Sequence, residues 1–245
     1  MENREIMAQA RTLLRGKWGI AVATFLVYLI ISCIPGAIPV VGWIASFVIS
    51  GPILVGLHIF SLAIVRGKEL KTGQLFDAFP FFVNGLVAYI LVMILILLWT
   101  LLFLVPGIVL GTLYFFTPSI MADVSVSILV IIFIFAILCT LLLSVPGIMA
   151  AFSYSMTFFI LADNMQLDGL EAIRRSKAMM NGHKWRLSCL IGRFTGWIIL
   201  GVLTLLIGFL WIGPYIMVSL AQFYEDIRSA GHVVQQPELA ITPGS

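Results

Sequence analysis

Ser50 and His58 come nearest in this chain to a nucleophile and its base, and both fall within one long apolar run. An intramembrane Ser/His hydrolase would need the two side chains in direct proton-transfer contact. Eight residues of helix separate them by about 12 Å, which argues against such a pair. His58 reads better as a polar side chain inside a helical bundle. Asp123 and Asp163 form a second pair, able in principle to hold a cation or a substrate amine. The reading favoured is that both are stops where an apolar helix meets the water boundary, since a carboxylate there costs little. The strongest local signal is cationic: Arg174, Arg175, Lys177, Lys184, Arg186 and Arg193. Such a cluster orients a membrane protein and attracts anionic lipid head groups, at about 1 kcal/mol per residue near a charged leaflet. Its basic face is expected against a membrane, so nucleic acid is not an expected ligand. Walker A, HExxH, GxSxG, kinase and dinucleotide patterns are absent from the sequence. Cys33, Cys139 and Cys189 lie in or beside apolar segments without CxxC spacing and read as small packing residues. No catalytic residue, metal site or cofactor is expected.

The elements that carry these residues follow from composition. The 245 residues are 61% hydrophobic and only 10% charged, with a mean hydropathy of +1.12. Soluble domains hold roughly 25% charged residues. This excludes a water-soluble enzyme domain, an intrinsically unfolded chain and a disulfide scaffold, and predicts an all-α, polytopic transmembrane bundle. Apart from Asp123, the runs Trp18–Val65, Ala78–Ala122, Val124–Ala162 and Phe194–Tyr224 contain no Asp, Glu, Lys or Arg. Each exceeds one crossing of a hydrocarbon core about 30 Å thick. Four hairpins, hence about eight spans, are expected, with turns at the Pro-Gly pairs 35–36, 106–107, 146–147 and near 213–214.

Residues 3–15 read as an interfacial amphipathic helix with Ile6, Ala10, Leu13 and Leu14 on one stripe. Arg4, Arg11 and Arg15 lie off that stripe, Asn3 is the expected N-cap, and Gly16 the stop. Thr72-Gly73-Gln74 starts a short helix. A second amphipathic helix is expected at 169–181, with Asp168 and Glu171 as a capping box and Gly182 as the stop. Residues 1–228 form one transmembrane domain in this reading, and 229–245 a disordered tail.

Residues 100–123 (TLLFLVPGIVLGTLYFFTPSIMAD) align without gaps onto 140–163 (TLLLSVPGIMAAFSYSMTFFILAD), sharing the frame VPGI…Y…T…AD. A tandem duplication with a 40-residue period is the reading. The positive clusters at 11–17, 66–71 and 174–193 are separated by even numbers of spans. All therefore fall on one face, which the positive-inside bias makes cytoplasmic, together with both termini.

The stretches LEAIRRSKAMMNGHKWRL (170–187), GWIILGVLTLLIGFLWIGPY (196–215) and QFYEDI (222–227) resemble an uncharacterised bacterial membrane family, domain of unknown function 975. ARTLLRGKW (10–18), QLFDAF (74–79) and the VPGI…YSM…ILADN unit (145–164) are similar to it too. The resemblance implies a multi-pass protein of the cell membrane and brings no activity, substrate or catalytic residue. The family pattern has one PGI unit. Here Trp99–Ile108 resembles its front and Pro146–Asn164 its back, with an extra hairpin between them. The count becomes six spans if the duplicated hairpins do not both cross.

A non-enzymatic, lipid-interacting or accessory membrane component is the expectation. Its expected partners are membrane lipids with anionic head groups on the cytoplasmic face; no residue specifies a protein partner or a homo-oligomer. The alternative is a small-solute or lipid transporter using His58, Asp123 and Asp163, with an intramembrane enzyme behind it.

Overall fold

The computed structural model describes residues 2–33, 38, 41–116, 126–204 and 207–235, which form helices and their connections, with no strand among them. In order come α1 (Asn3–Leu13), α2 (Trp18–Cys33) and α3 (Val41–Val65), then short 3-10 turns at Thr72–Phe76 and Phe79–Phe81. These are followed by α4 (Phe82–Phe116), α5 (Val126–Tyr154), α6 (Thr157–Asp163), α7 (Gly169–Met179), α8 (Lys184–Leu203) and α9 (Phe209–Gln235). Among the described residues four stretches are long and apolar enough to cross a membrane: Val41–Val65, Thr72–Leu101, Ile137–Asp163 and Lys184–Leu203. α1 and α2 together form a fifth, broken candidate, bent by 98°. These helices are long and apolar enough for a membrane protein, and the all-helical class stands among the described residues.

The expected Pro-Gly turns do not. α4 runs unbroken from Phe82 to Phe116 through positions 106–107, α5 carries Pro146 in its interior, and α9 carries Pro214. The pair at 35–36 lies outside the described residues. Proline's fixed φ suits a helix, and the lost N–H is tolerated in apolar helices where local adjustments re-satisfy the freed carbonyl. Two runs read as hairpins, 78–122 and 124–162, are thus each built on one long helix. At 35 residues α4 is about 52 Å long. Within 140–163 the break comes instead at Ser155-Met156, between α5 and α6. At the C-terminus α9 continues to Gln235, past Ser229, where a tail was expected to begin.

The chain divides into two compact units, 1–90 with 153–245, and 91–152. The first is organised around α3. Its most apolar stretch is 67% buried, against 22% for α8. Ile53, Leu57, Phe60 and Ile64 share one face of α3 and Val55 and Leu62 lie on the opposite one, yet all are enclosed. That is how a helix apolar all round behaves when protein surrounds it. Glycine sets the closest approach: a Cβ on Gly56 would lie 2.0 Å from the carbonyl oxygen of Leu75, and one on Gly51 2.7 Å from that of Gly85. α3 also packs against α6, α9 and α2.

Two amphipathic helices complete this unit. α1 buries Ile6, Ala10 and Leu14 completely against protein, with α9 its main neighbour. Its apolar stripe is therefore covered by the bundle and not laid into lipid as the sequence reading had it. Glu2, not Asn3, precedes its first turn, and the Glu2 backbone N–H donates to Glu5 Oε2 at 2.9 Å. Gly16 and Gly182 adopt φ of 76° and 82°, where a side chain would be strained, and end α1 and α7 as expected. Asp168 precedes α7 in extended conformation without a side-chain cap. Glu171 pairs instead with Arg175 at 2.9 Å.

The second unit consists of the later part of α4 and most of α5. Its large side chains point outward: Leu98 is 60% exposed, Phe135 67% and Leu142 73%.

Candidate functional site

Where α3 ends, Arg66 meets the ends of α6 and α9. Its guanidinium pairs with Asp163 Oδ1 at 2.5 Å and with Glu225 Oε1 at 2.5 Å, and its Nε donates to the same Glu225 oxygen at 2.7 Å. Arg228 reaches Asp163 Oδ2 at 3.0 Å and Glu225 Oε1 at 3.7 Å. The Tyr224 hydroxyl donates to Asp163 Oδ2 at 2.7 Å. Two cations and two carboxylates thus neutralise one another at a half-buried junction, with the planar Arg66 fork bridging both acids. Burial opposes the charge on Arg66, but the hydrogen bonds and charges of Asp163 and Glu225 prevail and raise its pKa.

The network continues inward through aromatic rings. Tyr224 stacks on Phe159 with centroids 5.4 Å apart, and Phe159 meets His58 edge to face at 4.3 Å. His58 is enclosed, and its Nδ1 lies 2.7 Å from the Leu54 carbonyl oxygen one turn back. Ser50 likewise donates to Ser46 O at 2.6 Å. Each member of the Ser50/His58 pair is therefore engaged with its own helix.

A second clamp joins α8 and α9. Arg186 pairs with Asp226 at 2.5 Å and lies 5.3 Å from the Phe223 ring centroid. The Asn3 side chain donates to the Arg186 carbonyl at 2.8 Å, which ties α1 to the same corner. Burial would raise the Asp226 pKa, but the Arg186 guanidinium leads the opposing causes and holds it below its ordinary value.

The six cations singled out from sequence are divided between α7 and α8. Arg174, Arg175 and Lys177 project from α7, which buries Ala172, Ile173 and Ser176. Ser176 Oγ closes the α5–α6 break, donating to Ser153 O at 2.8 Å and accepting from Met156 N–H at 3.2 Å. Lys184 sits at the start of α8, Arg186 is held by Asp226, and Arg193 lines a cavity with Arg4 and Arg11. Asp163 receives Arg66, Arg228 and Tyr224, so both its oxygens are engaged. Its proposed partner Asp123 lies outside the described residues. Arg66, Tyr224, Glu225 and Arg228 were missed because an ion pair between residues 159 apart has no local spacing. The available signal was position, since Arg66, Tyr224 and Glu225 sit at the ends of charge-free runs and Arg228 lies one turn further on.

The family model described as protein of unknown function (DUF975) matches residues 1–231, and the chain belongs to that family. No curated protein matches the chain. No solved structure matches it either.

Proposed function

We propose that this chain is a multi-pass protein of the cell membrane that acts without chemistry of its own, holding anionic lipid head groups at its cytoplasmic face. The observation that carries the reading is α7. It turns Arg174, Arg175 and Lys177 outward from a stripe buried against the bundle, as a helix lying beside a charged leaflet requires. Six crossings follow if α2, α3, α8 and α9 each cross once and α4 and α5 replace two hairpins by two single spans. The number of crossings between Arg66 and Asp163 stays even. The direct contact of those two side chains supports one common side for them. With the positive-inside bias, that side and both termini are cytoplasmic.

The test uses the full chain in nanodiscs, comparing the association of spin-labelled phosphatidylglycerol with that of phosphatidylcholine. The Arg174→Glu/Arg175→Glu/Lys177→Glu variant should lose most of the preference for the anionic lipid. An unchanged preference would count against the reading.

A further inference from the structure

The polar stripe of α1 holds a cationic cavity. Arg4, Ala8 and Arg11 follow one another at helical spacing on this helix. Together with Met7 and Arg193 of α8 they line a space of about 440 Å³. Among the described residues no carboxylate lies within ion-pair distance of these three guanidiniums. This sets them apart from Arg66 and Arg186, which are neutralised within the bundle. Arg11 is held in place: its Nη2 donates to the Tyr215 hydroxyl at 3.3 Å, and its guanidinium lies 5.6 Å from that ring's centroid. Three positive charges around one open space, one of them held in place, favour an anion among them.

Arg11 also lines an adjoining cavity of about 290 Å³ whose other walls are Trp18, Trp197, Trp211, Ile212 and Tyr215. The order along the helices is informative. Trp197 lies one turn beyond Arg193 on α8, and Trp211 one turn before Tyr215 on α9. On both helices the tryptophan is the residue further from the charged ends, Lys184 and Glu225. Cationic space thus gives way to aromatic, apolar space in the direction of the uncharged ends of α8 and α9, where the two helices are joined. This is the order of phosphate, glycerol and acyl chain in a lipid, and tryptophan favours that boundary.

We infer that the two cavities form one site for an anionic glycerophospholipid. The phosphate sits among Arg4, Arg11 and Arg193, and the glycerol and first acyl carbons lie against Trp18, Trp197 and Trp211. A free phosphate would use the arginines and leave the aromatic cavity without a role. The inference rests on the lipid-contact reading above but uses residues other than the α7 face.

Native mass spectrometry of the full chain, released from micelles after incubation with phosphatidylglycerol or phosphatidylcholine, counts the retained lipid. Arg4→Gln/Arg193→Gln should lower phosphatidylglycerol retention about tenfold, through loss of two charge-assisted contacts. Trp197→Ala/Trp211→Ala should lower it less, and Arg4→Lys/Arg193→Lys should keep most of it, which separates the effect from misfolding. Equal retention by the glutamine variant would overturn the site. So would displacement by inorganic phosphate with no effect of the tryptophan substitutions, which would assign the arginines to a free anion. If Arg174→Glu/Arg175→Glu/Lys177→Glu leaves the annular lipid preference unchanged while phosphatidylglycerol retention still depends on Arg4 and Arg193, the broader reading fails and this site stands.

Discussion

The two units share a supply of large apolar side chains and use them in different ways. In 1–90 with 153–245, Phe159, Phe194 and Phe223 are almost wholly enclosed. In 91–152, Leu98, Phe135 and Leu142 are outward. The difference lies in what each sequence offers besides apolar side chains. The first unit has glycines at backbone contacts, charged residues at helix ends and two amphipathic helices to cover its flanks. The second has long, uniformly apolar helices whose surface only an apolar solvent satisfies. The first unit encloses a core of its own, while the outward apolar surface of the second suits lipid as its solvent.

The sharpest way to break this contrast is Gly56→Ala. A Cβ 2.0 Å from a backbone oxygen of Leu75 has nowhere to go, so the substitution should cost more than about 3 kcal/mol and abolish the folded form in detergent. Leu142→Ala in the second unit should stay within about 0.5 kcal/mol by the same thermal-unfolding measurement, because its neighbour is solvent in either state. Next in size is Leu142→Lys. A lysine facing the hydrocarbon core costs about 2.5–3.5 kcal/mol, so a membrane-insertion assay should show a clear loss. Undiminished insertion would mean that this face is not in lipid.

Within the first unit, Asp163→Asn leaves Arg66 and Arg228 with Glu225 alone. A loss of about 1–3 kcal/mol is expected in detergent unfolding. The transport alternative would instead predict loss of a saturable flux at unchanged stability. The smallest effect concerns Asp226. Its folded pKa lies below the ordinary 3.8, so the pair with Arg186 contributes fully above that value and is lost as the pH falls through the lowered one. Acid below about pH 4 should loosen the α8–α9 corner, and hydrogen exchange at Asn3–Met7 should follow. Asp226→Asn should remove that acid sensitivity.

Composition alone was enough to read the helical class and the apolar runs, because burial in lipid demands both. Gly16, Gly182 and Asp168 were legible as helix boundaries because their signals are local. The turns at Pro106, Pro146 and Pro214 were misplaced because a rule learned in water, where proline ends helices, weakens where backbone groups have no solvent to turn to. The covered stripe of α1 could not be read, since Ile6, Ala10 and Leu14 show the same periodicity whether lipid or α9 lies opposite. Arg193 was singled out from sequence as one of six cations, but the cavity it lines with Arg4 and Arg11 brings together parts of the chain some 180 residues apart.

The measurement that bears most directly on the whole account is compartment-specific labelling of single cysteines at positions 71 and 184, with Cys33, Cys139 and Cys189 replaced. In sealed vesicles of known orientation, an impermeant maleimide should reach both positions from the cytoplasmic side and neither from the other. Labelling of Lys71→Cys and Lys184→Cys from opposite sides would contradict the even number of crossings on which the topology rests.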